Sequence, residues 1–276
     1  MLKLFFLALL VLFTSSCISM VDKESMSDTL PRKGYVFVHR TINYKSCKPG
    51  PPVTTKEKGK KVVKSTTICE HGQSMSVGSG FVVDKFYKGS YIMTAAHVCL
   101  EQTVPKHITI KENKLKVQAL MDTRYYKAQL IGYDHDIDAC ILFVEDLTHD
   151  IEIVKMADEP PVPGDKVYNI ASPYGIHAVD MVPIFEGRHV GTGSVKSYYT
   201  FTAAGGSSGS MILNADGELI GLLHSVYIHL GEVAVGVEYY SLKQFMERNL
   251  IDHRKVLNQR EGALELNPDP FALGPY

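Results

Sequence analysis

The chain has 276 residues, 45% of them hydrophobic and 21% charged, with a formal net charge of -1 at pH 7. That apolar share excludes a disordered chain, which could not bury enough surface to offset the entropy of ordering. Acids and bases nearly balance, so no global field attracts nucleic acid, and no nucleic-acid partner is expected.

The first run, MLKLFFLALLVLFTSSC, has the build of an export signal. Lys3 supplies a positive start, Leu4 to Phe13 an apolar stretch, and Thr14, Ser15 and Ser16 small residues suited to cleavage. At roughly ten residues the apolar stretch is about half of a bilayer span. Residues 1–16 are therefore expected to be a signal peptide, and the chain to be exported, periplasmic or secreted. Cys17 is a candidate lipid acceptor, although Thr14 stands where a lipoprotein signal usually carries Leu. Membrane contact is expected only through that lipid. Export also makes Cys47, Cys69, Cys99 and Cys140 candidates for disulfides, with three pairings open. Cys47 and Cys69 flank a stretch that a clamp would steady and are the favoured pair. Cys99 and Cys140 read equally well as small buried hydrophobes.

From Gly34 the texture is that of short strands: GYVFVHRTI, SVGSGFVVD, SYIMTAAHV, HITI, KAQLIGYD, DACILFVED, KVYNIAS and ELIGLLHSV, mostly separated by Gly, Pro, Asp or Asn. Many short strands at such spacing predict an all-β sandwich or barrel. Residues 45–64 carry seven lysines and the run PGPP, and read as a basic, solvated loop inserted between the first two strands. Leu242, Phe245, Met246, Leu250, Val256 and Leu257 recur at helical spacing, which predicts a terminal helix over 242–260. Residues 262–276 are Pro-rich and read as a flexible tail, with no further domain expected after the helix.

Three motifs follow in the order His, Asp, Ser. In TAAHVC, small residues let the chain turn at a strand end and bring the His97 imidazole against its neighbours. In DACILFV, Asp138 precedes an apolar strand, where a half-buried acid can orient a histidine ring and stabilise its imidazolium. In AGGSSGSM, a serine in a glycine turn exposes its hydroxyl and aims backbone N–H groups at a developing oxyanion. Ser208 is preferred over Ser207 and Ser210 because Gly206 and Gly209 bracket it, and the Gly206 and Ser208 N–H groups would form the oxyanion hole. Asp138 is preferred over Asp134 and Asp136 because Ala139 to Leu142 continue directly as a strand. A histidine base must be neutral to act, so activity is expected to fall as pH drops through the imidazole range, about 6.5. His135, His149, His177 and His189 lack ligand spacing and read as surface residues. No metal and no cofactor is expected.

At these motifs the chain resembles the trypsin-like serine peptidases, and most nearly their HtrA-like bacterial branch. GSGFVVD with MTAAHV is similar to the strand pair leading to the family's histidine. KAQLIGYDHDIDACILFV resembles its aspartate segment, PGDKVYNIASPYGI the opening of its second barrel, and GSSGSMILNADGELIGLLHS its serine loop and pocket strand. The resemblance implies two six-stranded antiparallel barrels with the site between them. Within a peptidase domain over 34–260, it implies a first barrel over about 34–150, a second over about 160–241, and the helix behind them. It carries over His97 as base and then acid, Asp138 as its partner and Ser208 as nucleophile of a serine endopeptidase acting on protein or peptide substrates. It also implies a specificity pocket with neutral Thr202 at its base, walled by Leu223, His224, Ser225 and Val226. The turn departs from the family in reading Gly209, Ser210, Met211 after the serine, and the peptide-binding PDZ domain usual in the branch is not expected here. The competing reading is a trypsin-fold binding module without turnover; an esterase on the same fold is a third.

Overall fold

In the computed structural model of the protein, residues 29–57, 60–101, 103–227 and 233–266 are described. The expected signal, Cys17, and residues 267–276 of the expected tail lie outside the described residues.

Six strands form the first barrel: β1 (Tyr35–Glu57), β2 (Lys60–Phe86), β3 (Gly89–Ala95), β4 (Ile108–Ala119), β5 (Tyr126–Asp134) and β6 (Ala139–Glu145). All neighbours are antiparallel, and the pairing of β1 with β4 closes the ring in the order β1-β2-β3-β6-β5-β4. β3 and β6 are buried almost end to end. Their uninterrupted apolar runs suit strands covered on both faces, whereas β5 alternates more and is partly exposed.

The second barrel closes in the order β10-β11-β12-β9-β8-β7. Its strands are β7 (Lys166–Ile170), β8 (Ile184–Thr192), β9 (Lys196–Thr200), β10 (Met211–Leu213), β11 (Leu219–Tyr227) and β12 (Val233–Val237). Val167, Tyr199, Phe201, Ile212, Ile220 and Leu223 meet in its core. Expected as a surface residue, His189 is instead buried here, its ring tilted on Tyr199 and its Nε2 3.0 Å from Thr192 Oγ1. His177 is half-buried and stacks on Phe37.

The basic insert is not a loop. β1 and β2 continue through it as a ribbon in which Glu57 faces Lys60. Ser46 with Ile108 is the last pair that β1 makes with β4, so beyond it the ribbon has only two strands. A two-stranded ribbon is marginal by itself in water. The bond between Cys47 and Cys69, which face each other one residue past that point, supplies the missing restraint. Closing a separation of 22 residues restricts the unfolded chain by an amount worth about 3 kcal/mol. β-branched residues such as Val53, Thr54, Thr55 and Val63 suit the pleat better than a lysine count suggests.

The terminal helix runs from Tyr239 to Leu266, longer at both ends than the spacing predicts. The Glu238 carboxylate sets its start by accepting the N–H groups of Tyr240 and Ser241, both at 2.9 Å. Five residues of the expected tail therefore belong to the helix. Although it leaves the second barrel, the helix returns to the first. His253 Nδ1 lies 3.0 Å from Tyr91 Oη, and Arg254 pairs with Asp84.

Candidate active site

His97 lies in the one-turn helix α1 (Ala96–Cys99), directly after β3. Asp138 sits one residue before β6, in the strand register beside it, with φ 57. Asp is among the few residues that tolerate that left-handed conformation. Its two oxygens divide the task of fixing His97. Oδ1 accepts the His97 backbone N–H at 2.9 Å, and Oδ2 lies 2.7 Å from ring Nδ1. That leaves Nε2 as the free edge of the ring. The other acids are accounted for: Asp134 accepts the N–H groups of Asp136 and Ile137 and builds the turn, and Asp136 is exposed.

A covalent link reinforces the pair. Cys99 and Cys140, each two residues beyond His97 and Asp138, are bonded, so the reading of them as buried hydrophobes gives way to a staple between the two segments. Its larger separation, 41 residues, makes the same restraint worth about 4 kcal/mol.

The three serines of the turn separate by burial. Ser207 is buried and its Oγ accepts the Ala204 N–H, while Ser210 is buried with its Oγ 2.7 Å from Asn169 Nδ2. Ser208 alone is partly exposed. Gly206 and Gly209 take φ 94 and φ 85, values that L side chains rarely adopt. At Gly209 a Cβ would stand 2.1 Å from Thr94 Oγ1 and 2.3 Å from Ser79 O, so the nucleophile turn closes directly on the strands that lead to His97. Ser79, which the sequence reading passed over, is the joint between barrels. Its N–H donates to Ser208 O at 2.9 Å, and its Oγ donates to Gly206 O at 2.9 Å while accepting the Ser172 N–H at 3.1 Å. The only hint in the sequence is its place between Gly78 and Gly80, of which Gly78 leaves no room for a Cβ beside Val98 and Ser208 O.

With Gly205 O held by the Tyr174 N–H and Gly206 O by Ser79, the turn's carbonyls are engaged from one side. Among the described residues no carbonyl accepts the Gly206 or the Ser208 N–H. Two free, adjacent donors beside a hydroxyl are what a developing oxyanion needs. Ser208 Oγ itself donates to His224 O at 3.4 Å.

The expected pocket residues divide. His224 reaches Asp138, and Ser225 is exposed. Leu223 belongs to the core of the second barrel and Val226 packs against that core, so neither is a wall of an open pocket. Thr202 is exposed rather than a pocket floor, because its neighbour Phe201 turns into the core. A bulge between Leu223 and Ser225 shifts the alternation of β11 at this point, which a count from the serine does not reveal.

Two closed six-stranded barrels, one carrying a histidine–aspartate pair and the other a serine in a glycine turn, define a double-barrel architecture. The trypsin-like peptidase domain matches residues 78–222, and the chain belongs to that family. Its relatives include the periplasmic serine endoprotease DegP of Escherichia coli K12, 26% identical over 204 residues, which cover 68% of this chain and 40% of the relative. A probable DegP-like periplasmic endoprotease of Marinomonas sp. is 29% identical over 167 residues, 59% of this chain and 32% of the relative. The chain thus spans about a third to two fifths of the curated relatives it matches. A serine endoprotease from Yersinia pestis shares the fold at TM-score 0.57 and 18% identity, covering 83% of this chain and 68% of that one.

Proposed function

We propose that the chain is an exported serine endopeptidase that hydrolyses protein or peptide substrates by acyl transfer. The reading rests on one observation above others: the Asp138 carboxylate holds both the backbone and the ring of His97, engaging Nδ1 and leaving Nε2 for proton transfer. In this mechanism Ser208 Oγ attacks the peptide carbonyl while His97 takes its proton. The Gly206 and Ser208 N–H groups bind the oxyanion, and His97 then protonates the leaving amine. Water attacks the acyl-enzyme by the same path in reverse. Asp138 keeps the proton of His97 on Nδ1 and stabilises the imidazolium. The export signal at 1–16 and the periplasmic naming of the relatives support an exported site of action, and the two disulfides suit an oxidising compartment.

A second reading, a binding module without turnover, has one observation in its favour: Ser208 Oγ is directed at the His224 carbonyl. Catalytic hydrogen bonds are commonly long before substrate arrives, so this geometry suits a resting peptidase equally. Labelling with a fluorophosphonate, together with hydrolysis of unfolded casein, separates the two. The peptidase labels on Ser208 and cleaves; Ser208→Ala loses both, with cleavage down at least about 10^4-fold. An unlabelled wild-type protein would leave the binding module as the answer.

A further inference from the structure

Asp138 faces a second imidazole. His224 Nδ1 lies 3.8 Å from Oδ2, the same oxygen that stands 2.7 Å from His97 Nδ1. The His224 side chain is 10% exposed against 36% for His97, so it forms the inner wall of the pair. The bulge explains its direction. Leu223 and Val226 both turn to the core of the second barrel, and His224 between them is rotated toward the first. This residue therefore touches both ends of the constellation, Asp138 through its ring and Ser208 through its carbonyl.

We propose that His224 is a positioning residue for Asp138: neutral, it steadies the carboxylate oxygen that orients His97, and protonated, it draws that oxygen away from His97. The proposal rests on the catalytic reading above. The charged groups around His224 are Asp138, His97 and Lys196. Burial, the largest influence, lowers its proton affinity below the ordinary imidazole value of 6.5; the Asp138 carboxylate opposes this, and Lys196 and His97 add to it. The ring is thus neutral near pH 7, where its polar Nδ1 edge faces Oδ2 at 3.8 Å without consuming the Asp138 charge. In acid it becomes a cation in ion-pair range of the same oxygen. The imidazolium that His97 must form then shares its counter-ion with another positive charge, and proton transfer from Ser208 is disfavoured. The ring is 10% exposed with Nδ1 facing Asp138, which separates this role from recognition of acidic substrate side chains.

The test combines two readouts on the exported form of the whole chain, the first comparing the wild type, His224→Asn and His224→Leu. Fluorophosphonate labelling of Ser208 is followed from about pH 5 to about pH 8. In the wild type the rate falls with acid, and the acid limb steepens from about tenfold toward about a hundredfold per pH unit as His224 takes up its own proton. His224→Asn sets an amide N–H near the place of Nδ1 and cannot charge, so its acid limb keeps the single slope. His224→Leu, with no donor, labels about tenfold more slowly at pH 8, and the Asn variant recovers part of that loss. The second readout is independent of turnover: the His224 ring titration, followed by NMR in Ser208→Ala, moves to lower pH when Asp138→Asn is added. An acid limb shared by all three proteins, or a His224 titration indifferent to Asp138→Asn, overturns the proposal. So does a changed preference for an acidic residue before the scissile bond with an unchanged acid limb. If the wild type does not label at all, the peptidase reading fails, while the NMR titration still decides the coupling.

Discussion

The two barrels share a topology and differ in how they hold their part of the site. In the first, His97 and Asp138 stand on adjacent strand ends and are tied covalently through Cys99 and Cys140. In the second, Ser208 rests in a turn fixed by glycine geometry and by hydrogen bonds reaching across to Ser79, with no disulfide among its described residues. His97 and Asp138 are thus a preassembled unit. Ser208 is held to the first barrel by a seam that admits no extra atom at Gly209. The first arrangement resists fluctuation through restriction of the unfolded chain; the second depends on local fit.

If so, the seam is the more fragile half. Gly209→Ala places a methyl against Thr94 Oγ1 and Ser79 O at a backbone angle suited to glycine. We expect it to lower stability by about 2–4 kcal/mol and cleavage by more than about 100-fold. A Gly209→Ala protein with wild-type activity would show that the two barrels meet with slack. Replacing Cys99 and Cys140 together by Ser should cost about 4 kcal/mol in chemical denaturation while leaving much of the activity in the surviving folded fraction, since Asp138 still holds His97 by two hydrogen bonds. A loss of activity as large as that of Gly209→Ala, at full folding, would instead make the staple part of the site's geometry. The smallest effect belongs to the ribbon. Cys47→Ser with Cys69→Ser should fray the tip, seen as faster amide exchange beyond Ser46, with little change in cleavage of a short peptide.

Much of this organisation is legible in the order of residues. His97, Asp138 and Ser208 could be singled out because each sits where an apolar run meets small or glycine residues, and those transitions are local. Gly209 is legible for the same reason, though the atoms that exclude its Cβ are not. The misses share a different cause. Strand β8 is half-exposed and interrupted by Gly187 and Gly191, so its alternation is weak, while five-residue β9 and three-residue β10 are too short to stand out. The ribbon reads as a loop because lysine and proline mark solvent, while its pairing is dictated by a cysteine bond 22 residues long in sequence. Leu223 and Val226 point to the core rather than the pocket because one bulge shifts the faces of β11, and a bulge leaves no mark in composition; Thr202 lies after β9, exposed beside the buried Phe201. Ser79 is an ordinary serine until the second barrel closes on it.

Beyond Ser46 the ribbon exposes two rows of backbone donors and acceptors, one along each outer edge, with no further strand paired to them among the described residues. Such edges recruit strands from other molecules, and Val53, Val63 and Ile68 would sweeten the contact with exposed apolar surface. The lysines spread over 45–64 act against that outcome. Two ribbons aligned edge to edge would bring like charges within a few ångströms of each other, at a cost that rises as salt is removed. The same basic stretch that obscures the strands in the sequence therefore keeps them from becoming the start of an aggregate.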